Sequence, residues 1–352
     1  MPYELNKKLR SIEPYIPEAG GYPVRLDANE SCFDISEKLG DVISEAVKKV
    51  EFNRYPDPAA KEVTEAFAAY YGLNPDHCTA GNGSDELISL ILNSFLDKGD
   101  TVVTLSPDFS MYAFYGFINE LNIKNLPKED DLKIDVGKVS EYCNNNDVKA
   151  IIFSNPCNPT SLGVRRQDII RLVKNVFCLV IVDEAYMDFW GESVLDMTEE
   201  LDNLIVLKTC SKNMGMAALR LGFAVAGDKI SSALKAVKSP FNVNAITQAA
   251  AAAVLRHKPM IMEYTAEIVH SRKMLQNAVT ELAERYFVIE KVFDSVTNFV
   301  FIRTHKSKEI YEKLLQRGVS VRYMGSYLRV TAGTERENHI FINEFKDILS
   351  LL

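Results

Sequence analysis

In the stretch Ser211-Lys212-Asn213-Met214-Gly215-Met216-Ala217-Ala218-Leu219-Arg220, a lysine stands just past an apolar run and an arginine follows eight residues later. The run itself, Leu204-Ile205-Val206-Leu207, is short and rich in β-branched residues, so it predicts a buried strand ending near Lys208 and Thr209. Lys212 then lies in the turn beyond a strand's carboxyl end, where α/β proteins assemble their sites. A lysine amine desolvated by apolar neighbours is nucleophilic enough to condense with an aldehyde. Thr209, Ser211 and Arg220 remain to hold a phosphate on the same molecule. A solvated Lys-Arg pair on a loop is the other reading of these residues taken alone.

Four further segments bear on the choice. Phe177 to Val182 is a run of six apolar residues that ends in Asp183-Glu184-Ala185-Tyr186. A run of this kind suits a strand covered on both faces, with Asp183 at its carboxyl end. A phosphate, an aldehyde and a nearby carboxylate together point to pyridoxal phosphate, whose ring accepts electrons well when its nitrogen is held protonated. Tyr186 can reach the phenolic oxygen of that ring, whereas an isolated Asp183 could equally cap a following turn. Ile151-Ile152-Phe153-Ser154 is a second apolar strand, running into Asn155-Pro156-Cys157-Asn158-Pro159-Thr160. Residues before proline are driven out of the helical region, so Asn158 is presented on a stiff loop and can donate its amide to the ring oxygen; an ordinary turn explains Asn-Pro as well.

Gly81-Asn82-Gly83-Ser84-Asp85-Glu86 precedes a dense apolar pattern from Leu87 to Leu96, predicting a buried helix with Gly99 as its stop signal. Its N-terminus offers backbone N–H groups to a phosphate. Glu86 occupies the place of a third glycine and no Lys-Ser or Lys-Thr pair follows, so the segment is neither a dinucleotide fingerprint nor a P-loop. Ser106-Pro107-Asp108-Phe109-Ser110-Met111-Tyr112 follows the strand Thr101 to Leu105 and supplies Phe109 and Tyr112, which can stack on a planar ring or fill the core.

Together these segments, in this order and over nearly the whole chain, resemble the fold-type I pyridoxal-phosphate-dependent aminotransferases. Within that superfamily the chain is most similar to the histidinol-phosphate aminotransferase branch. The markers are Leu26-Asp27-Ala28-Asn29-Glu30, Asn53-Arg54-Tyr55-Pro56-Asp57-Pro58, the Gly81 and Ser106 segments, Pro240-Phe241-Asn242-Val243-Asn244 and Leu328-Arg329-Val330-Thr331-Ala332-Gly333. The resemblance implies a large α/β/α domain with a mostly parallel sheet (residues 36–243) and a smaller α+β domain built from the N-terminal arm (1–35) and residues 244–352. It implies that Lys212 bonds the cofactor aldehyde, that Asp183 pairs with the pyridinium, and that Asn158 and Tyr186 bond the ring oxygen. Gly83, Ser84, Asp85, Thr209, Ser211 and Arg220 would surround the phosphate and Phe109 would stack on the ring. Tyr55 would reach the phosphate of a neighbouring subunit's cofactor in a homodimer. Substrate contacts are expected from Tyr15, Asn29, Tyr112, Arg322 and Arg329, with Arg329 matching the superfamily's anion-binding arginine. One departure is Ser161, where the family usually has glycine; serine tolerates positive φ less well.

The implied reaction exchanges histidinol phosphate and 2-oxoglutarate for imidazole acetol phosphate and glutamate by ping-pong kinetics. An aromatic amino-acid aminotransferase, a threonine-phosphate decarboxylase and, in another class, a cofactor-binding regulator would keep the same cofactor residues.

With 352 residues, 47% hydrophobic and 25% charged, the chain is long enough for about two globular domains. The alanine-rich run from Ala249 onward through Met274 predicts one long helix joining them. A net charge of −8 without a basic stripe argues against nucleic acid as a partner. The absence of a signal-like or membrane-length apolar stretch predicts a cytoplasmic protein. The six cysteines lack Cys-x-x-Cys spacing and read as reduced thiols, Cys178 within a strand; the five histidines lack ligand spacing, so no metal is expected.

Overall fold

The computed structural model describes residues 3–14 and 20–352; the expected contact Tyr15 lies outside the described residues. Seven strands form one sheet in the order Cys78–Gly81, Gly222–Ala226, Leu204–Thr209, Leu179–Asp183, Val148–Ser154, Thr101–Ser106 and Asn122–Pro127. All pairings are parallel except the two made by Gly222–Ala226. Side chains alternate between the two faces, as a pleated strand requires. Val180, Val182 and Val206 join one buried cluster, and Ile152, Ile181 and Ile205 join another. Helices cover both faces, with Val63, Phe67, Ile169 and Leu172 on one side and Leu87, Ile91 and Leu234 on the other. This sandwiching is why the strands read as continuous apolar runs.

Successive strands progress in one direction from Val148–Ser154 to Leu204–Thr209 and in the other from Thr101–Ser106 to Asn122–Pro127. Chain direction across the sheet therefore reverses between Thr101–Ser106 and Val148–Ser154. The crevice outside the carboxyl ends at such a switch is where open α/β sheets bind ligands.

A second sheet of five strands runs Val24–Leu26, Val319–Met324, Tyr327–Thr331, Phe299–Thr304 and Ile289–Val292. Its core includes Leu275, Val279, Phe341 and Phe345, from the long helix Lys258–Arg285 and the final helix Glu335–Leu349. Thr334 starts that last helix with a full capping box to Glu337.

Several local expectations are corrected. The single alanine-rich helix is two, Ala245–Leu255 and Lys258–Arg285. Pro259 explains the break: it has no N–H to donate, and its ring collides with the carbonyl four residues back, at Leu255. The helix after Gly81 spans Gly83–Ser94 and ends well before Gly99; Phe95 and Leu96 leave it to pack against the core. Phe177 is 97% exposed and Cys178 precedes the strand, which starts at Leu179. Asn203 accounts for this, because its amide donates to the carbonyls of Val173, Val176 and Cys178 and holds that connection as a loop. No cysteine among the described residues is in a disulfide, and no helix among them is long and apolar enough to cross a membrane.

Candidate active site

The carboxyl ends of the parallel strands present the predicted residues on one rim. Ser154 and Asp183 are register partners at the ends of their strands, and Asp183 also pairs with Leu207, so the strand leading to Lys212 runs two residues further, to Thr209. Asp183 is 4% exposed. One carboxylate oxygen accepts the Ala185 N–H at 3.0 Å and the other accepts the Tyr112 hydroxyl at 2.8 Å. Burial pushes its pKa up to about 6; these two donors oppose the shift, while the carboxylates of Asp108 and Asp85 reinforce it. Burial beside Asp183 also keeps the Tyr112 hydroxyl protonated, so it remains a donor.

Tyr186 is buried with its ring edge-on to Phe299. Its hydroxyl accepts the Asn29 amide at 2.9 Å, which leaves its own proton to donate. Asn29 is held in left-handed backbone geometry (φ 54°). Its N–H donates to the Thr331 hydroxyl at 3.0 Å, and its carbonyl accepts the Asn298 amide at 3.1 Å. Asn29 and Tyr112 therefore stand behind Tyr186 and Asp183, not on an open surface. Lys212 is half-buried, its Nζ 3.2 Å from the Ala28 carbonyl and 5.8 Å from the centre of the Tyr186 ring.

At the other end, the helix Gly83–Ser94 begins without a side-chain cap, leaving its first N–H groups available. Arg220 lies over this terminus: a Cβ at Gly83, where φ is +80°, would fall 2.9 Å from its Nη2. A Cβ at Gly222 would fall 2.5 Å from the Ser84 nitrogen, so glycine there lets the strand pass close beneath the helix start. Arg220 donates to the Ser211 hydroxyl and to the Asp85 carboxylate, each at 3.3 Å. Ser211 N–H in turn donates to the Thr209 hydroxyl at 3.2 Å. Because the Asp85 side chain holds Arg220, only its backbone N–H is suited to an anion. Uncapped amides beside a guanidinium fit a phosphate, and a buried carboxylate held by two donors fits a pyridinium, so the residues present suit pyridoxal phosphate.

Phe109 is partly buried, edge-on to Tyr112 with ring centres 5.5 Å apart. The Asn158 side-chain oxygen accepts Arg329 Nη1 at 2.5 Å, and Arg329 Nη2 donates to the Asp27 carbonyl at 2.6 Å. Arg322 is the register partner of Arg329 on the adjacent antiparallel strand. Ser161 adopts φ 62°, fully buried. The left-handed region costs a serine about 1–2 kcal/mol, and its hydroxyl bond to the Thr160 carbonyl returns about 1 kcal/mol of that. The loop thus takes the geometry that glycine would favour. Tyr55 is 82% exposed on its proline-flanked loop, stacked on Phe241 at 4.7 Å. Among the described residues no group of His, Cys, Asp and Glu side chains is arranged to hold a metal ion.

Sequence reasoning missed a buried charge cluster under this rim. Lys208 Nζ lies 2.8 Å from Asp188 and 3.8 Å from Glu184, and Tyr71 donates to Asp188 at 2.8 Å. The available signal was a lysine at the end of a fully buried strand, matched by acids four residues apart after Asp183.

The aminotransferase class I and II family model matches residues 23–345. A histidinol-phosphate aminotransferase from Clostridium novyi strain NT is 39% identical over 97% of this chain and 96% of that protein. Among solved structures, histidinol-phosphate aminotransferase from Sinorhizobium meliloti, in complex with pyridoxal-5'-phosphate, superposes with a TM-score of 0.89 at 21% identity over 99% of this chain and 98% of that one. L-threonine-O-3-phosphate decarboxylase from Porphyromonas gingivalis does so with a TM-score of 0.79 at 21% identity over 93% of this chain and 99% of that one. The chain belongs to the class I and II aminotransferases, with the fold-type I architecture and pyridoxal phosphate as cofactor.

Proposed function

We propose that the chain transfers the amino group of histidinol phosphate to 2-oxoglutarate, giving imidazole acetol phosphate and glutamate, as a step of histidine biosynthesis in the cytoplasm. The observation that carries this reading is the register placing Arg322 opposite Arg329. Cross-strand partners present their side chains on the same face of a sheet, so the two arginines stand side by side there. Arginine binds phosphate and carboxylate bidentately, so one pair can serve the phosphate of one substrate and a carboxylate of the other.

When bound, pyridoxal phosphate supplies an aldehyde for covalent attachment to an amine and a ring that takes up the electrons released at the substrate carbon. Lys212 is assigned to that attachment and, once displaced by the substrate amine, to moving the proton at the substrate carbon. Asp183 holds the pyridinium, Asn158 and Tyr186 bond the ring oxygen, and Phe109 covers the ring. The N–H groups of Gly83, Ser84 and Asp85, with Thr209, Ser211 and Arg220, hold the phosphate. Asn29 and Tyr112 are reassigned from substrate contacts to positioning residues, because each is buried and donates to Tyr186 or Asp183.

A substrate panel tests the reading. Arg329→Ala should weaken both half-reactions by about 2–4 kcal/mol, and Arg322→Ala should penalise histidinol phosphate more than glutamate. Equal losses at Arg322 would remove the ground for a phosphorylated amine. Preference for phenylalanine would make the chain an aromatic aminotransferase, and carbon dioxide release from threonine phosphate would make it a decarboxylase.

The active unit is proposed to be a homodimer in which Tyr55 reaches the cofactor phosphate of the partner subunit. In support, Tyr55, Phe52 and Phe241 together expose apolar rings. Asp57 stiffens the loop by accepting the N–H groups of Ala59 and Lys61. Mixing Tyr55→Phe with Lys212→Ala under subunit exchange puts both defects in one hybrid site and neither in the other, so activity should exceed that of either parent variant. A fully active monomer in sedimentation would end this model.

A cofactor unit beginning near residue 36 is supported by the seven-stranded sheet falling wholly within 36–243. The helix Ala245–Leu255 packs in that sheet's core, so the boundary is better placed at Arg256-His257 than at 243. Limited proteolysis that cuts first within 78–226 would count against this division.

A further inference from the structure

The carboxyl ends of Val148–Ser154, Thr101–Ser106 and Asn122–Pro127 meet around a buried ammonium. Lys128 follows the last of these strands, and its backbone N–H donates to the Ser106 carbonyl at 3.0 Å. Its side chain is 1% exposed and that of Asp108 is 2% exposed. Lys128 Nζ donates to the Pro107 carbonyl at 2.7 Å and to Cys157 Sγ at 2.9 Å, and it lies 3.5 Å from the Asp108 carboxylate. Asp108 accepts the Phe109 N–H at 2.8 Å, the Ser154 N–H at 3.3 Å and the Ser154 hydroxyl. The Ser154 oxygen then accepts the Asn158 N–H at 3.2 Å. One ion pair is thus bonded to the loop carrying Phe109 and, through Ser154, to the loop carrying Asn158.

Desolvating two charges costs several kcal/mol each, so an ion pair at this depth adds little net stability over apolar residues of the same volume. What it does supply is direction. The ammonium has three donors and the carboxylate about four acceptor sites, and every partner named above sits on one of the two loops at the topological switch or on the strand end that leads into it. We infer that Lys128 is a positioning residue that, through Asp108 and Ser154, sets the spacing between Phe109 and Asn158 and hence the grip that these two side chains would have on the face and the ring oxygen of the cofactor. The inference rests on the assignment of those two side chains to pyridoxal phosphate.

Its test compares the parent with Ser154→Ala, Lys128→Met and the double variant Lys128→Met/Asp108→Asn. Three readouts are needed: thermal midpoint of the apoprotein, dissociation constant for pyridoxal phosphate added to it, and visible circular dichroism of the bound cofactor. Lys128→Met strands a buried carboxylate and should lower the midpoint, and the double variant should recover it by removing both charges. Despite that recovery, the double variant should bind the cofactor about tenfold more weakly, the scale of losing a partner behind a binding side chain, with a reduced visible dichroism. Ser154→Ala keeps the ion pair and cuts its link to Asn158, so it should show the same binding and dichroism changes; losing the hydroxyl bond to Asp108 should lower its midpoint less than Lys128→Met does. Parental affinity and dichroism in Ser154→Ala or in the recovered double variant would overturn the inference. A parent that binds no pyridoxal phosphate would instead remove the cofactor assignment and this inference with it.

Discussion

Lys212→Ala should leave a folded protein that has lost the visible absorption of the covalently held cofactor and nearly all turnover. The fold is expected to survive because Lys212 is half-buried in a loop and holds the fold through a hydrogen bond to the Ala28 carbonyl. Its loss should cost about 1 kcal/mol. Chemistry is a different matter, since the same amine is assigned both to attachment and to proton movement. Removing a group on which the other parts depend lowers kcat by about 10⁴-fold or more. Stopped-flow absorbance and steady-state rates on the purified variant measure both effects, and transamination at the parental rate would refute the assignment of Lys212.

Asp183→Asn should separate stability from function in opposite directions. The Asp183 carboxyl has a folded pKa raised to about 6 by burial, against about 3.9 in an unfolded chain. A raised folded pKa means that the group favours the fold fully below about pH 4 and that this contribution is lost as pH rises through about 6. Two pKa units correspond to roughly 3 kcal/mol, so the parent apoprotein should lose about that much from this group between pH 4 and neutrality. The asparagine variant should lack this slope. It retains one oxygen for the two donors, Tyr112 and the Ala185 N–H, and the bond it forfeits is worth about 1 kcal/mol. The variant apoprotein is therefore expected to be about 1–2 kcal/mol more stable than the parent at pH 7. Turnover should fall about 30- to 5,000-fold, from the roughly 2–5 kcal/mol that losing one partner of a buried charge pair costs. Urea denaturation of both apoproteins across pH 4 to 8, beside their kcat values, supplies the check. Turnover within a few-fold of the parent would mean that another group serves the ring nitrogen.

Local chemistry along the chain was enough to place Asp183 at a strand end and Asn158 and Lys212 beyond strand ends. A strand buried on both faces must be an unbroken apolar run, and the residue that ends the run marks the rim of the sheet. The helix start at Gly83 and the stiff loop at Tyr55 were legible for the same kind of reason, because glycine and proline act on their immediate neighbours. The break at Pro259 was equally local, although the alanine-rich pattern around it obscured it. Tertiary structure alone decided which side chains meet. Tyr112 and Asp183 are 71 residues apart, and Asn29 and Thr331 are 302 apart. Arg322 faces Arg329 because of strand register, and a shift of one residue would turn either side chain to the other face of the sheet. Lys128 carries no signal in the sequence and Lys208 carries only its place at the end of an apolar run, and the order of strands across the sheet buries them beside Asp108, Glu184 and Asp188. Periodicity and turn chemistry record forces between near neighbours, whereas sheet order and register are set by packing the whole chain at once, and the charge partners of this site follow from the latter.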